Sequence, residues 1–143
     1  MQHYLKLSVE ELMASVLAHY RGMKPAIEAC IDGHLRIGEK LVLEGSALLP
    51  ETINALRSKS MACILLHADD RLIEERILME SVHAEQSLRE QTMIENFIAR
   101  AKAFNRFVVE DATARGLPLL HVEADTNVDA FADRCLASMR SLA

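Results

Sequence analysis

The stretch Lys40-Leu41-Val42-Leu43-Glu44-Gly45-Ser46-Ala47-Leu48-Leu49-Pro50 decides how this chain reads. A three-residue apolar run, Leu41 to Leu43, stops at an acidic residue and a glycine. Such a run, bounded by turn signals, fits a strand buried on both faces of a parallel sheet. In open α/β sheets, ligands sit beyond the carboxyl ends of the strands, which would place Glu44 and Ser46 at that edge. Gly45 allows a tight turn or the close approach of a ligand. On the tripeptide alone, Glu44 reads more simply as a strand end facing water.

Working outward, the upstream residues read as two helices. Ser8 and Glu11 have capping-box spacing, with Leu7 and Leu12 placed as a hydrophobic staple. That helix runs to about Tyr20 and ends at Gly22. Pro25 suits the first turn of a second, which carries Ala26, Ile27, Cys30, Ile31, His34 and Leu35 at helical spacing and closes at Gly38.

Downstream, Pro50 starts a short helix to about Arg57 with Ile53 and Leu56 inward, and Met61 to His67 (MACILLH) is a second buried strand. Asp69 is placed to cap a helix with Leu72, Ile73, Ile77 and Leu78 on its inner face. Ser81 to Gln91 is polar without a clean stripe. From about Thr92 to Arg115, Ile94, Phe97, Ile98, Ala101, Phe104, Val108 and Ala112 recur in steps of three and four. Gly116 ends that helix and Pro118 prevents its resumption. Leu117 to Val122 is a third strand, and Thr126 caps a last helix lined by Val128, Phe131, Cys135, Leu136 and Met139. Strands alternating with helices predict an α/β fold, a three-layer parallel sheet with helices on both faces, in one domain over residues 1–143. Three strands are few for such a sheet, which has about five.

Composition narrows the function classes. The 143 residues are 50% hydrophobic and 26% charged, which suits a single globular core. A net charge of −5 leaves no basic excess for general nucleic-acid binding. No apolar run reaches the length of a membrane span, and the N-terminus MQHYLKLSVEEL lacks the features of a signal peptide. Cys30, Cys63 and Cys135 are odd in number, far apart and set in apolar surroundings. They read as buried thiols in a reducing compartment, so the expected location is cytoplasmic.

The order of short motifs resembles a known family. It runs strand-Glu44-Gly45, strand-His67-Ala68-Asp69, a helix with Glu75-Arg76, a polar segment, a long helix with Arg100 and Asn105, then Arg115-Gly116-Leu117-Pro118 and Asp125-Thr126. From Lys40 to Ala143 this resembles the carboxyl-terminal two-thirds of a small P-loop kinase, most closely the 2-phosphoglycerate kinase-like group. The resemblance implies an ATP- and Mg-dependent small-molecule phosphotransferase. It makes Glu44 the acidic catalytic residue that holds a magnesium-bound water or deprotonates the acceptor hydroxyl. It puts Arg76 near the nucleotide, residues 81–91 in the lid, Arg89 or Arg100 on transferring phosphate, and Asp125, Thr126 and Asn127 beside the adenine. Each has a plainer reading. Arg76 can pair with Glu80 one turn on, Arg89 and Arg100 can be solvated helix residues, and capping explains Asp125 and Thr126.

The family's defining loop is missing. None of Gly22, Gly33, Gly38, Gly45 and Gly116 opens a G-x-x-x-x-G-K-[ST] motif, and in Gly33-His34-Leu35-Arg36-Ile37-Gly38-Glu39-Lys40 a glutamate stands where lysine belongs. Without that loop there is no nest of amides for phosphate and no phosphate-binding lysine, so little or no activity is expected of this chain. The missing strand would also leave a gap between the Glu44 strand and the Met61–His67 strand. An upstream segment, a direct pairing of the two strands, or a second copy in a swapped dimer would each fill it.

Three other expectations complete the reading. A non-catalytic module acting through oligomerisation is the alternative function. A metal-dependent hydrolase would use His67 and His121 with Asp69, Asp70, Glu123 and Asp125 near the strand ends. His34 and Arg36 are weaker acceptor-site candidates, and Phe107, off the main stripe, suggests a lid or partner contact.

Overall fold

The computed structural model describes residues 3–56 and 61–140. The elements are α1 (His3–Lys6), α2 (Val9–Ile37), α3 (Pro50–Leu56), β1 (Leu65–Ala68), α4 (Asp70–Glu80), a 3₁₀ turn (His83–Glu85), α5 (Leu88–Ala114), β2 (Leu119–Val122) and α6 (Val128–Arg140). Of the described residues, 70% are helical, and the sheet is a single parallel pair, β1 and β2. The three-layer parallel sheet read from the sequence is therefore wrong. This is a mostly helical protein in which α5 is the hub, packed against α1, α2, α3, α4 and both strands.

The largest correction falls on the opening stretch. Leu41 to Leu43 form no strand, and Val42 is 94% exposed. A strand buried on both faces needs neighbours on both edges to take its amides and carbonyls. The described chain offers no such pair here, so the run stays at the surface.

Upstream, the two expected helices are one. α2 runs 29 residues through Gly22 and Pro25. An interior proline costs roughly 3 kcal/mol by removing one helical hydrogen bond. Here tertiary packing outweighs it: Leu12, Ile27 and Ile31 are buried, and Tyr20 sits edge-on to Phe104 of α5 with ring centroids 5.7 Å apart. The start and stop read correctly. The Ser8–Glu11 capping box is formed, and Gly38 closes the helix at φ 70°. Arg21 grips Glu51 of α3 with two hydrogen bonds, at 2.8 and 3.3 Å, and this holds the Glu51 carboxyl below its ordinary pKa. Pro50 opens α3 as expected; its expected end at Arg57 lies outside the described residues.

α5 starts earlier than its apolar stripe suggests. Ser87 and Glu90 form a capping box, with the Glu90 carboxylate accepting from the Ser87 amide at 3.0 Å. Residues 81–87 thus form a tight connection, and 88–91 belong to α5. Gln86 donates to the Ser81 carbonyl, and Gln91 donates to those of His83 and Gln86. At the far end, Leu117 N–H returns to Ala112 O at 2.9 Å and Gly116 N–H to Thr113 O at 3.1 Å, with Gly116 at φ 62°. That is a Schellman ending, whose left-handed residue favours glycine.

The core gathers where α5 meets α3 and the strands. Ile53, Leu65, Val108, Ala112 and Leu117 are buried there, with Phe104, Phe107 and Leu119 packed against them. Phe107, off the main stripe, is half-buried and packs against this cluster. Cys30 is exposed and Cys63 and Cys135 are half-buried, so none of the three is the fully buried thiol expected. Among the described residues no helix is long and apolar enough to cross a membrane.

Candidate functional site

Parallel pairing brings the carboxyl ends of β1 and β2 to one edge, in the register Leu65↔Leu119, Leu66↔Leu120, His67↔His121 and Ala68↔Val122. Side chains alternate across a sheet, so Leu65 and His67 share a face with Leu119 and His121. The leucines enter the core and the two imidazoles meet at its rim, with ring centroids 5.0 Å apart and planes inclined by 52°. His121 Nε2 lies 3.3 Å from Asp69 Oδ1. Asp69 occupies the cap position of α4 with extended backbone, yet its side chain makes no capping bond. Its carboxylate serves His121 instead.

The strand end is pinned from α5. The Leu65 amide donates to Pro118 O, so Leu65 and His67 aim their backbone groups at β2 while Leu66 and Ala68 aim theirs outward. Asn105 satisfies Ala68 on that outer side. Its Oδ1 accepts from the Ala68 amide at 3.3 Å and its Nδ2 donates to the Ala68 carbonyl at 2.9 Å. Arg106–Asp70 and Lys102–Glu74 ion pairs lock α4 alongside α5 in antiparallel order. Burial, then the proximity of His121, push the His67 imidazole below its ordinary pKa, and Asp69 opposes them more weakly. A neutral imidazole beside a carboxylate-held one can accept a proton or offer a lone pair to a metal.

Glu44 stands elsewhere. With Gly45 and Ser46 it lines a shallow cavity of about 330 Å³, otherwise walled by Tyr20, Met23 and Ile27 of α2 and by Leu43, Ala47 and Leu48. The residues that the resemblance assigns to nucleotide do not gather there. Arg89 and Arg100 are eleven residues apart on α5, roughly 16 Å along its axis. Phe104 marks where α5 meets Tyr20, and Arg89 lies fifteen residues before it, roughly 22 Å away. Arg76 and Arg89 are exposed, and no described carboxylate pairs with either. The ion pair on α4 is Arg71–Glu75, not Arg76–Glu80. Arg100 lies over the Phe97 ring, 4.6 Å from its centroid. Asp125 is exposed, Thr126 Oγ1 accepts from the Glu123 amide, and the cap of α6 is Asn127, whose Oδ1 accepts from the amides of Asp129 and Ala130.

No family of proteins, curated protein or solved structure matches this chain. The fit to a nucleotide therefore rests on the residues alone. The cavity beside Glu44 has no basic side chain in its lining, so a triphosphate would enter it uncompensated. Among the described residues no group of three or more histidines, cysteines or carboxylates is arranged to hold a metal ion. His67, His121 and Asp69 were candidates in the sequence, and the structure brings them together. Asp70 turns to Arg106, while Glu123 and Asp125 stay in the exposed turn after β2. Asn105 was visible only as part of a motif order. A polar residue amid an inward helical stripe was the signal that it had a backbone partner.

Proposed function

We propose that this chain acts by association, as a subunit that covers its apolar surface with a second copy of itself. The observation that carries the reading is surface area. The chain exposes 9529 Å², whereas a folded monomer of 16.0 kDa exposes about 7,400 Å². The difference exceeds the roughly 800 Å² that each partner contributes to a standard interface. Part of it is apolar and contiguous in sequence: Leu35, Ile37, Leu41, Val42 and Leu43 are all exposed at the end of α2 and just beyond it. A monomer seldom leaves such a strip in water.

Sedimentation equilibrium between about 1 and 200 μM tests the reading. The expected result is a dimer of the 16.0 kDa chain that dissociates when Ile37→Lys and Val42→Asp are combined. Both positions are solvent-facing, so folding is unaffected. A monomer at every concentration, or a dimer indifferent to both changes, overturns it.

A phosphotransferase role, as the resemblance implies, is the second reading. It is favoured by Glu44 lining a cavity with Gly45 and Ser46. It requires a phosphate loop that these 143 residues do not contain. Calorimetric titration with Mg·ATP up to millimolar concentration, with Glu44→Gln alongside, tests it on this chain. Saturable binding that is lost in the variant supports the reading, and no binding removes the chain from that role.

A further inference from the structure

The cavity beside Glu44 is a recess that the chain's own side chains leave unfilled. Its volume of about 330 Å³ is near the lower end of the range for small-molecule sites, about 300–1,000 Å³. Met23 and Leu43 in its walls are 41% and 38% exposed, so apolar surface there faces water. A side chain at Gly45 would meet nothing within 4 Å, so the recess is open on that side. The walls themselves are fixed. Tyr20 stands edge-on to Phe104, Ile27 is buried, and the Leu48 amide donates to Gly45 O at 3.0 Å across the turn.

Charge selects the occupant. Glu44 is the one charged residue among the described walls, and no described cation pairs with its carboxylate. An anion would meet that charge with no basic side chain to offset it. A cation gains twice, from the carboxylate and from the aromatic ring of Tyr20. The remaining walls, Met23, Ile27, Leu43 and Leu48, reward an apolar body behind the charge.

We propose that this cavity binds a small organic ammonium ion, its head at Glu44 and Tyr20 and its short apolar tail against Met23, Ile27 and Leu48. The inference shares its cavity with the phosphotransferase reading but does not rest on it, since ammonium binding without Mg·ATP binding separates the two. Ile37 and Val42, on which the test of the dimer depends, are not among the walls.

NMR titration of the full chain at pH 7 with hexylammonium chloride, hexanol and sodium hexanoate tests it. The three share a tail and differ in the charge of the head, and at this pH an alkylamine is protonated as lysine is. Hexylammonium should shift the signals of Tyr20, Met23, Ile27 and Leu48 saturably at millimolar concentration. It should bind about tenfold more tightly than hexanol, and hexanoate more weakly than either. Glu44 is exposed, so Glu44→Gln keeps the fold. That variant should bind hexylammonium about fivefold more weakly, hexanol equally and hexanoate more tightly. A shift in charge preference of this kind is not produced by a merely structural change. Repeating the titration with Ile37→Lys and Val42→Asp combined makes the result independent of association. No saturable shift with hexylammonium, shifts centred away from these residues, or hexanol binding as tightly as hexylammonium overturns the site. Unchanged relative affinities for the three probes in Glu44→Gln overturn the role given to Glu44.

Discussion

Asn105→Leu is the substitution that best probes how the sheet is held. Leucine nearly matches asparagine in shape, so no cavity opens, and what is lost is the pair of hydrogen bonds to Ala68 at 3.3 and 2.9 Å. Each such bond contributes about 1 kcal/mol net, and a half-buried amide and carbonyl left without partners add to the loss. The expected destabilisation is about 2–3 kcal/mol. For a chain of 143 residues, the unfolding entropy converts 1 kcal/mol into about 3 °C, so Tm should fall by about 7–10 °C. Arg106→Leu is the control, one residue further along α5. It breaks an ion pair with Asp70 whose side chains are 56% and 43% exposed, which is worth less than about 1 kcal/mol. Thermal melts at one fixed protein concentration compare the two, and amide exchange at Ala68 should quicken only in Asn105→Leu. Equal shifts, or a shift under about 2 °C for Asn105→Leu, would refute the claim that this side chain closes the outer edge of β1.

Two further outcomes follow from named contacts. Ser87→Ala removes one half of the α5 capping box and should cost about 1 kcal/mol, seen as a Tm lower by about 3 °C; an unchanged melt would mean that packing alone fixes the start of that helix. The His67 imidazole has a folded pKa below its unfolded value of about 6.5. The unfolded chain therefore binds more protons, so the stability tied to the neutral ring is present above pH 6.5 and is lost as pH falls through the folded value. Urea midpoints from pH 7 to pH 5 should fall more steeply for the native chain than for His67→Gln, and parallel slopes would contradict this.

What could be read from sequence divides by the range of the interaction involved. Caps and stops are local, and several came through: Ser8 with Glu11, Pro50, Gly38, and Gly116 followed by Leu117, whereas Asp69 makes no capping bond and Asn127, not Thr126, caps α6. Ser87 with Glu90 was equally legible but was hidden by the missing apolar stripe around it. The strand positions at Met61–His67 and Leu117–Val122 were near the observed Leu65–Ala68 and Leu119–Val122, though both shorten because each has a single partner strand among the described residues. Errors arose where tertiary context decides. Gly22 and Pro25 signal a break, and α2 ignores both because its packed face spans them. At the site, the meeting of His67 with His121 depends on register across 54 residues, which no local pattern specifies.

Leu41 to Leu43 show the same division in reverse. The run has the composition of a buried strand, and composition is a statement about what the segment needs, not about what the rest of the chain supplies. β1 keeps one outward backbone pair at Leu66, beyond the reach of the Asn105 clamp on Ala68, and no described strand covers it. Two unmet demands thus coexist in one molecule: an apolar ribbon without a cover and a short sheet edge without a neighbour. Burying the ribbon inside the same chain would require partners for the backbone groups of residues 40–44, which lie exposed and outside helix and strand. Between two chains the side chains of Ile37 and Val42 can be covered while that backbone stays wet at the rim. That difference in cost is the reason we propose association, and not a tighter monomer, for a surface of this kind.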